Sequence, residues 1–145
     1  MTVSTVTVED APLNFHWPVR VYHEDTDTQG FVYYANYLKF MERARTEWLR
    51  TMGFEQTDLL NAYRVSFAVT EVFVKYRRPA RFNDNLHVGV RMTQLRAASM
   101  RLKQPIWRQP EELICHAEVK VACLDATTDR PKALPTTVLA ELKRA

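Results

Sequence analysis

At 145 residues the chain has the length of one domain and is long enough to bury a sizeable core. Its 46% hydrophobic and 26% charged content is that of a soluble globular protein, which excludes disorder and low complexity beyond the ends. A net charge of +3, with arginines spread along the chain, suits an anionic ligand and equally a plain solvated surface. No dense basic block or zinc-ligand spacing is present, so nucleic-acid binding is not supported.

Residues 1–14 read as a loosely ordered leader, without the basic and apolar regions of a signal peptide. No segment approaches the length of a membrane span. One domain is expected over 15–145, in the cytoplasm. Val19-Arg20-Val21-Tyr22 alternates as a short strand, and Thr26 to Gly30 is turn chemistry. A helix follows from Tyr34 or Asn36 to Met52. Its apolar stripe is Tyr37, Met41, Ala44, Trp48 and Met52. Asn36 is a plausible N-cap and Gly53 a natural residue just past the end.

A shorter helical piece spans 56–62, and then the character changes. Strands are predicted over 65–77, 86–95, 97–108 and 112–124, followed by a loop over 125–135 and a last helix over 136–142. Cys115 and Cys123 lie on one strand, about 26 Å apart at strand rise, too far for a disulfide. They read as small core residues in a reducing compartment. Consecutive strands with short connections argue for an antiparallel sheet, and the helix must bury its stripe against it. The fold class is α+β: about five strands around one long central helix.

The chemistry concentrates between Tyr22 and Tyr37, in YHEDTDTQGFVYYANY. A carboxylate just before a helix lies beside unpaired backbone N–H groups, which can hold the oxyanion of a reacting carbonyl. Asp27 has two readings: that carboxylate, or a turn aspartate capping its own backbone, with Asp25 competing for either role. Gly30 supplies a positive φ or a close backbone approach. His23, at a strand end, is structural or a polar site group. Glu42 and Glu47 read as a solvated helix face, Glu42 pairing with Arg45 or the residues beside Arg43. Arg77, Arg78 and Arg81 either grip phosphates or blunt a sheet edge. No nucleophile elbow, phosphate loop or Cys/His metal constellation appears.

The run from Tyr22 to Phe40, continuing as Glu42-Arg43-Ala44-Arg45-Thr46-Glu47, resembles the hotdog-fold acyl-CoA thioesterases. It looks most like the 4-hydroxybenzoyl-CoA type and its Tol-Pal-associated branch. Tyr76-Arg77-Arg78-Pro79-Ala80-Arg81, Arg96-Ala97-Ala98-Ser99 and Pro131-Lys132-Ala133-Leu134-Pro135 are similar to strings of that branch. The likeness spans about residues 18–142. It implies a sheet curled around one helix and hydrolysis of an acyl-CoA, with Asp27 as nucleophile or general base. The backbone N–H of Tyr34 would polarise the carbonyl, beside Gly30.

The resemblance further implies no metal or bound cofactor, coenzyme A being part of the substrate. It implies a homo-oligomer, dimer or tetramer, with the site at the dimer interface. Tyr22, His23, Arg77, Arg78, Arg81 and Ser99 become candidate substrate contacts. Two positions depart from the branch: Gln29 stands where Gly is frequent, and Tyr34 where histidine is frequent. The alternative is a non-catalytic hotdog protein binding acyl-CoA or acyl carrier protein. A hotdog dehydratase would need a histidine on the long helix, which has none.

Overall fold

The computed structural model describes residues 13–109 and 111–145. Most of the expected leader, 1–12, lies outside the described residues. Asn14 already joins the sheet, its N–H donating to the Val90 carbonyl at 2.8 Å. The elements are β1 (Phe15–Arg20), a 3-10 turn (His23–Asp25), α1 (Asn36–Thr51), α2 (Gln56–Tyr63), β2 (Val65–Tyr76), β3 (Asn85–Leu95), β4 (Ser99–Arg108), β5 (Glu112–Asp125) and α3 (Thr136–Arg144). Val21 and Tyr22, expected within the first strand, follow it, because the chain turns into the 3-10 segment to place Asp25.

All five strands form one antiparallel sheet in the order β1-β3-β4-β5-β2. The chain leaves β1 at one edge, crosses as α1 and α2, and re-enters at the other edge as β2. β2 and β3 are joined by a short segment yet are not neighbours, contrary to the hairpin order that sequence adjacency suggests. The reason lies in residues 77–84, which have other partners. The Arg77 and Arg78 N–H groups bond to the Ile114 carbonyl, and Val32 N–H bonds to Ala80 C=O at 2.8 Å. Arg81 forms an antiparallel bridge with Phe31. This segment thereby clasps the loop that carries the acidic motif.

α1 is about 24 Å long at helical rise. Its stripe, Tyr37, Phe40, Met41, Ala44 and Trp48, is buried against Leu86, Val88, Leu102, Ile106 and Val119 of the sheet. Gly53 ends it with φ +90, as a residue just past a helix end must. The alternation predicted for β5 holds, with Leu113, Cys115, Ala117, Val119, Val121 and Cys123 all buried. Both cysteines are free thiols. Burial pushes the Cys115 thiol up to about 12 and raises Cys123 as well. Neither is expected to react with a thiol reagent such as DTNB in the native protein, and both should on denaturation, a difference read directly by absorbance.

Candidate active site

Asp25 is the post on which the acidic loop hangs. It is buried at the end of the 3-10 turn. Its Oδ2 accepts the Tyr22 N–H and its Oδ1 the Asn36 side-chain amide, both at 2.8 Å. Its carbonyl accepts the Tyr33 N–H at 2.9 Å. One residue thus ties the exit of β1, the returning arm of the loop and the first residue of α1. These donors are what make a buried carboxylate tolerable.

Asp27 stands two residues on, at the exposed tip. Its N–H donates to Phe31 C=O at 2.7 Å, and its own C=O accepts the Gly30 N–H at 3.0 Å. The side-chain Oδ1 accepts the N–H groups of Gln29 and Phe31 at 2.9 and 3.2 Å. Among the described residues, Oδ2 has no protein donor. One oxygen orients the carboxylate and the other faces solvent. Gly30 has φ +84, and a Cβ there would meet nothing within 4 Å. Conformation, not close approach, is what calls for glycine at this turn.

The helix start differs from expectation. Ala35, not Asn36, occupies the N-cap position, with no side-chain cap and no acid in the first turn. Asn36 is the first helical residue, and its amide turns back to the Asp25 carboxylate, a stronger acceptor than a cap offers. Among the described residues the Tyr34 N–H donates to no protein group. The Tyr34 carbonyl instead accepts the Tyr76 hydroxyl at 2.9 Å. An open N–H just ahead of a helix N-cap lies near the positive end of the helix dipole, which suits it to a developing oxyanion.

Sequence reasoning left Tyr76 out of the site. Only the structure brings the end of β2 onto the helix start, where Tyr76 packs edge-on against the Tyr34 ring at 6.3 Å. Burial raises the Tyr76 phenol, with Cys115 and Tyr34 adding to the effect, so it stays a donor. Tyr37, whose oxygen accepts the Ala80 N–H at 3.0 Å, is pushed up to about 12, chiefly by burial. It is a fixed post beneath the site.

The remaining candidates divide by position. His23 stacks flat on Phe82, ring centroids 3.8 Å apart, and with Tyr22 lines a depression of about 420 Å³ beside the loop. Arg81 lies beside the Asp27 turn, its guanidinium 4.9 Å from the Phe31 ring centroid. Arg78 pairs with Glu112 at 3.3 Å. Arg77 is exposed at the end of β2. Ser99 begins β4, whose other end, Arg108, bonds to Asp84 and Glu112 near Arg81. Within one chain, Ser99 is therefore about 30 Å from that end at strand rise. Among the described residues no three His, Cys, Asp or Glu side chains cluster as metal ligands, and no helix is long and apolar enough to cross a membrane.

Residues 21–142 match the thioesterase-like superfamily. The chain belongs to that superfamily. Its acidic loop, central helix and sheet all fall within the matched residues. The acyl-CoA thioester hydrolase YbgC of Escherichia coli O6:H1 is 45% identical over 130 residues, covering 90% of this chain and 96% of that protein. The acyl-CoA thioesterase YbgC of Haemophilus influenzae is 41% identical over 126 residues, covering 87% and 92%. A 1,4-dihydroxy-2-naphthoyl-CoA thioesterase from Synechocystis shares the fold at a TM-score of 0.81 and 21% identity, covering 89% of this chain and 97% of that one. The thioesterase-like chain is thus a hotdog protein with one long helix inside a five-stranded antiparallel sheet.

Proposed function

We propose that this protein hydrolyses an acyl-CoA thioester to free acid and CoA, with Asp27 as the reacting carboxylate and the Tyr34 N–H as the carbonyl donor. The carrying observation is Asp27 itself: one oxygen is pinned by two backbone N–H groups and the other has no protein donor among the described residues, in the loop that leads into a helix start without a side-chain cap. The names of the two bacterial relatives, acyl-CoA thioester hydrolase and acyl-CoA thioesterase, support the substrate class.

The thioester oxygen accepts the Tyr34 N–H, which stabilises the negative charge that develops there. Asp27 Oδ2 then acts in one of two ways. As a nucleophile it attacks the carbonyl carbon, expels CoA thiolate and leaves a mixed anhydride, which water cleaves to acid and free Asp27. As a general base it takes a proton from water while the oxygen of that water attacks, and the proton passes to the departing sulfur. Either way the net reaction consumes one water and needs no redox partner.

Tyr22, His23 and the arginines Arg77, Arg78 and Arg81 are the proposed contacts for the CoA portion. Ser99 would reach the same substrate only from a second copy, in keeping with a site shared between subunits. The cytoplasm, where acyl-CoA is made and used, is the proposed location. Free-thiol release over short, long and aromatic acyl-CoAs tests the reaction. Turnover of at least one is expected. Saturable binding of CoA esters without turnover on any of them would overturn it and favour a binding partner, with acyl carrier protein as the next ligand to try.

A homo-oligomer, paired twice into a tetramer, is part of the proposal. β2 is an open sheet edge that exposes Val69, Val72, Phe73 and Tyr76, with Phe73 61% accessible. A second copy laid along β2 would cover this strip and satisfy its backbone. Phe73→Lys is expected to shift the protein to a smaller species in size-exclusion chromatography with light scattering, while the far-ultraviolet spectrum stays native.

A further inference from the structure

A groove of about 370 Å³ runs beside α1, walled by Leu38, Leu49, Phe67, Leu102 and Val121. Asp27 and Tyr34 do not line it. Its helical wall begins one turn beyond the Tyr34–Ala35 peptide: Leu38, Glu42, Arg45 and Leu49 lie at steps of four, three and four residues, the spacing of one helix face. The groove therefore leads away from the peptide that would hold the thioester carbonyl.

Arg45 turns into this groove, contrary to its expected pairing with Glu42 on a solvated face. Its Nη1 donates to Gln104 Oε1 at 2.9 Å. Gln104 is fully buried, and its Nε2 donates to Met41 C=O at 3.1 Å and Gly89 C=O at 3.4 Å. The guanidinium is thereby held against the side chain that bonds the Met41 carbonyl, about 8 Å along the helix axis from Asn36, the first helical residue. Among the described residues no carboxylate comes within ion-pairing distance of it. Burial lowers its proton affinity, and the Glu42 charge opposes that. Lys39 also lines the groove, so two cations face one anion there. The guanidinium is half-buried at the side of an apolar trough, with one N–H held by Gln104 and its other donors open to the groove, where a carboxylate could accept them.

We propose that this groove takes the acyl chain and that Arg45 binds a carboxylate at its far end, so that thioesters of medium-length α,ω-dicarboxylic acids are preferred substrates. The inference rests on the thioesterase reading for the position of the carbonyl, but not for the groove itself. Gln104 is the positioning residue that holds the guanidinium at its depth.

The test compares suberoyl-CoA with octanoyl-CoA, two acyl chains of equal length that differ in the terminal carboxylate. The wild-type kcat/KM is expected to favour suberoyl-CoA by about tenfold or more, the worth of one charge-assisted contact. Arg45→Met should collapse that ratio. The double variant Arg45→Met/Gln104→Leu removes both partners of the buried bond and gives the same answer should the single variant fold poorly. Equal rates for the two substrates in the wild type, or a ratio unmoved in the variants, would overturn the proposal. Should no acyl-CoA be turned over, the thioesterase reading falls and the groove is judged by binding alone. Trp48 lines the groove. In a Trp17→Phe/Trp107→Phe background, suberate is expected to change Trp48 fluorescence saturably where octanol does not. A response absent, or unaltered by Arg45→Met, would overturn it.

Discussion

Asp27→Asn is expected to cut kcat for acyl-CoA hydrolysis by about 10²–10⁴-fold, the range associated with a positioned acid–base group. The substitution is nearly isosteric. Asn Oδ1 can still accept the Gln29 and Phe31 N–H groups, so the turn and the left-handed Gly30 behind it stay as they are. What changes is Oδ2, the open oxygen, which becomes an amide that neither attacks a carbonyl nor takes a proton from water. Asp27 is exposed, so stability should move by no more than about 0.5 kcal/mol. Wild-type turnover in the variant, measured by thiol release, would sink the mechanism.

The two roles for Asp27 separate in a single turnover run in oxygen-labelled water. A nucleophilic carboxylate whose anhydride is cleaved at the aspartyl carbon gives one of its oxygens to the product acid, and the label then appears in the Asp27 peptide. A general base leaves that peptide unlabelled and places the label in the acid. Label in the Asp27 peptide, read by mass spectrometry, establishes the nucleophilic route whichever acyl group the enzyme prefers, whereas label in the acid alone means that water attacked the acyl carbon.

Local patterns carried the helix and strands. Tyr37, Met41, Ala44 and Trp48 announce α1 at helical spacing, and six alternating residues announce β5, because burial on one face leaves a periodic trace in the chain itself. The topology left no such trace at β2 and β3. Their separation depends on residues 77–84 pairing with Phe31 and Val32, contacts across some fifty positions. The same limit applies to the site. Asp27, Gly30 and Tyr34 are close in sequence, so the chain itself displays them in one loop. Tyr76 reaches Tyr34 from 42 positions away, and Arg45 meets Gln104 from 59. Arg45 is hidden for a further reason: arginine on a helix beside glutamates has the pattern of a solvated face, and only a buried acceptor on the facing strand reverses that. Asn36 has the pattern of a cap because the chain does not display that Asp25 is buried beside it.

Asp25→Ala should separate the two aspartates more sharply than any substitution at Asp27. Here a fall in stability is expected first, with activity lost as its consequence. Removing the carboxylate strands the Tyr22 N–H and the buried Asn36 amide, two donors that now bond to a charged acceptor. Such bonds contribute about 1.5–3 kcal/mol each, so a loss of about 3–6 kcal/mol is expected. For a chain of this size that is about 10–20 °C in Tm. Turnover should fall even below the melting range, because the Asp25 carboxylate holds the Asn36 amide at the start of α1, next to the Tyr34–Ala35 peptide. Deleting the second partner gives the decisive comparison. Asn36→Ala in the Asp25→Ala background removes the stranded amide, so the double variant should be more stable than the sum of the single losses predicts. The coupling should lie within the range of about 0.5–3 kcal/mol seen for contacting residues. Additive losses in thermal unfolding, or a wild-type Tm for Asp25→Ala, would mean that the loop is held by something other than this carboxylate.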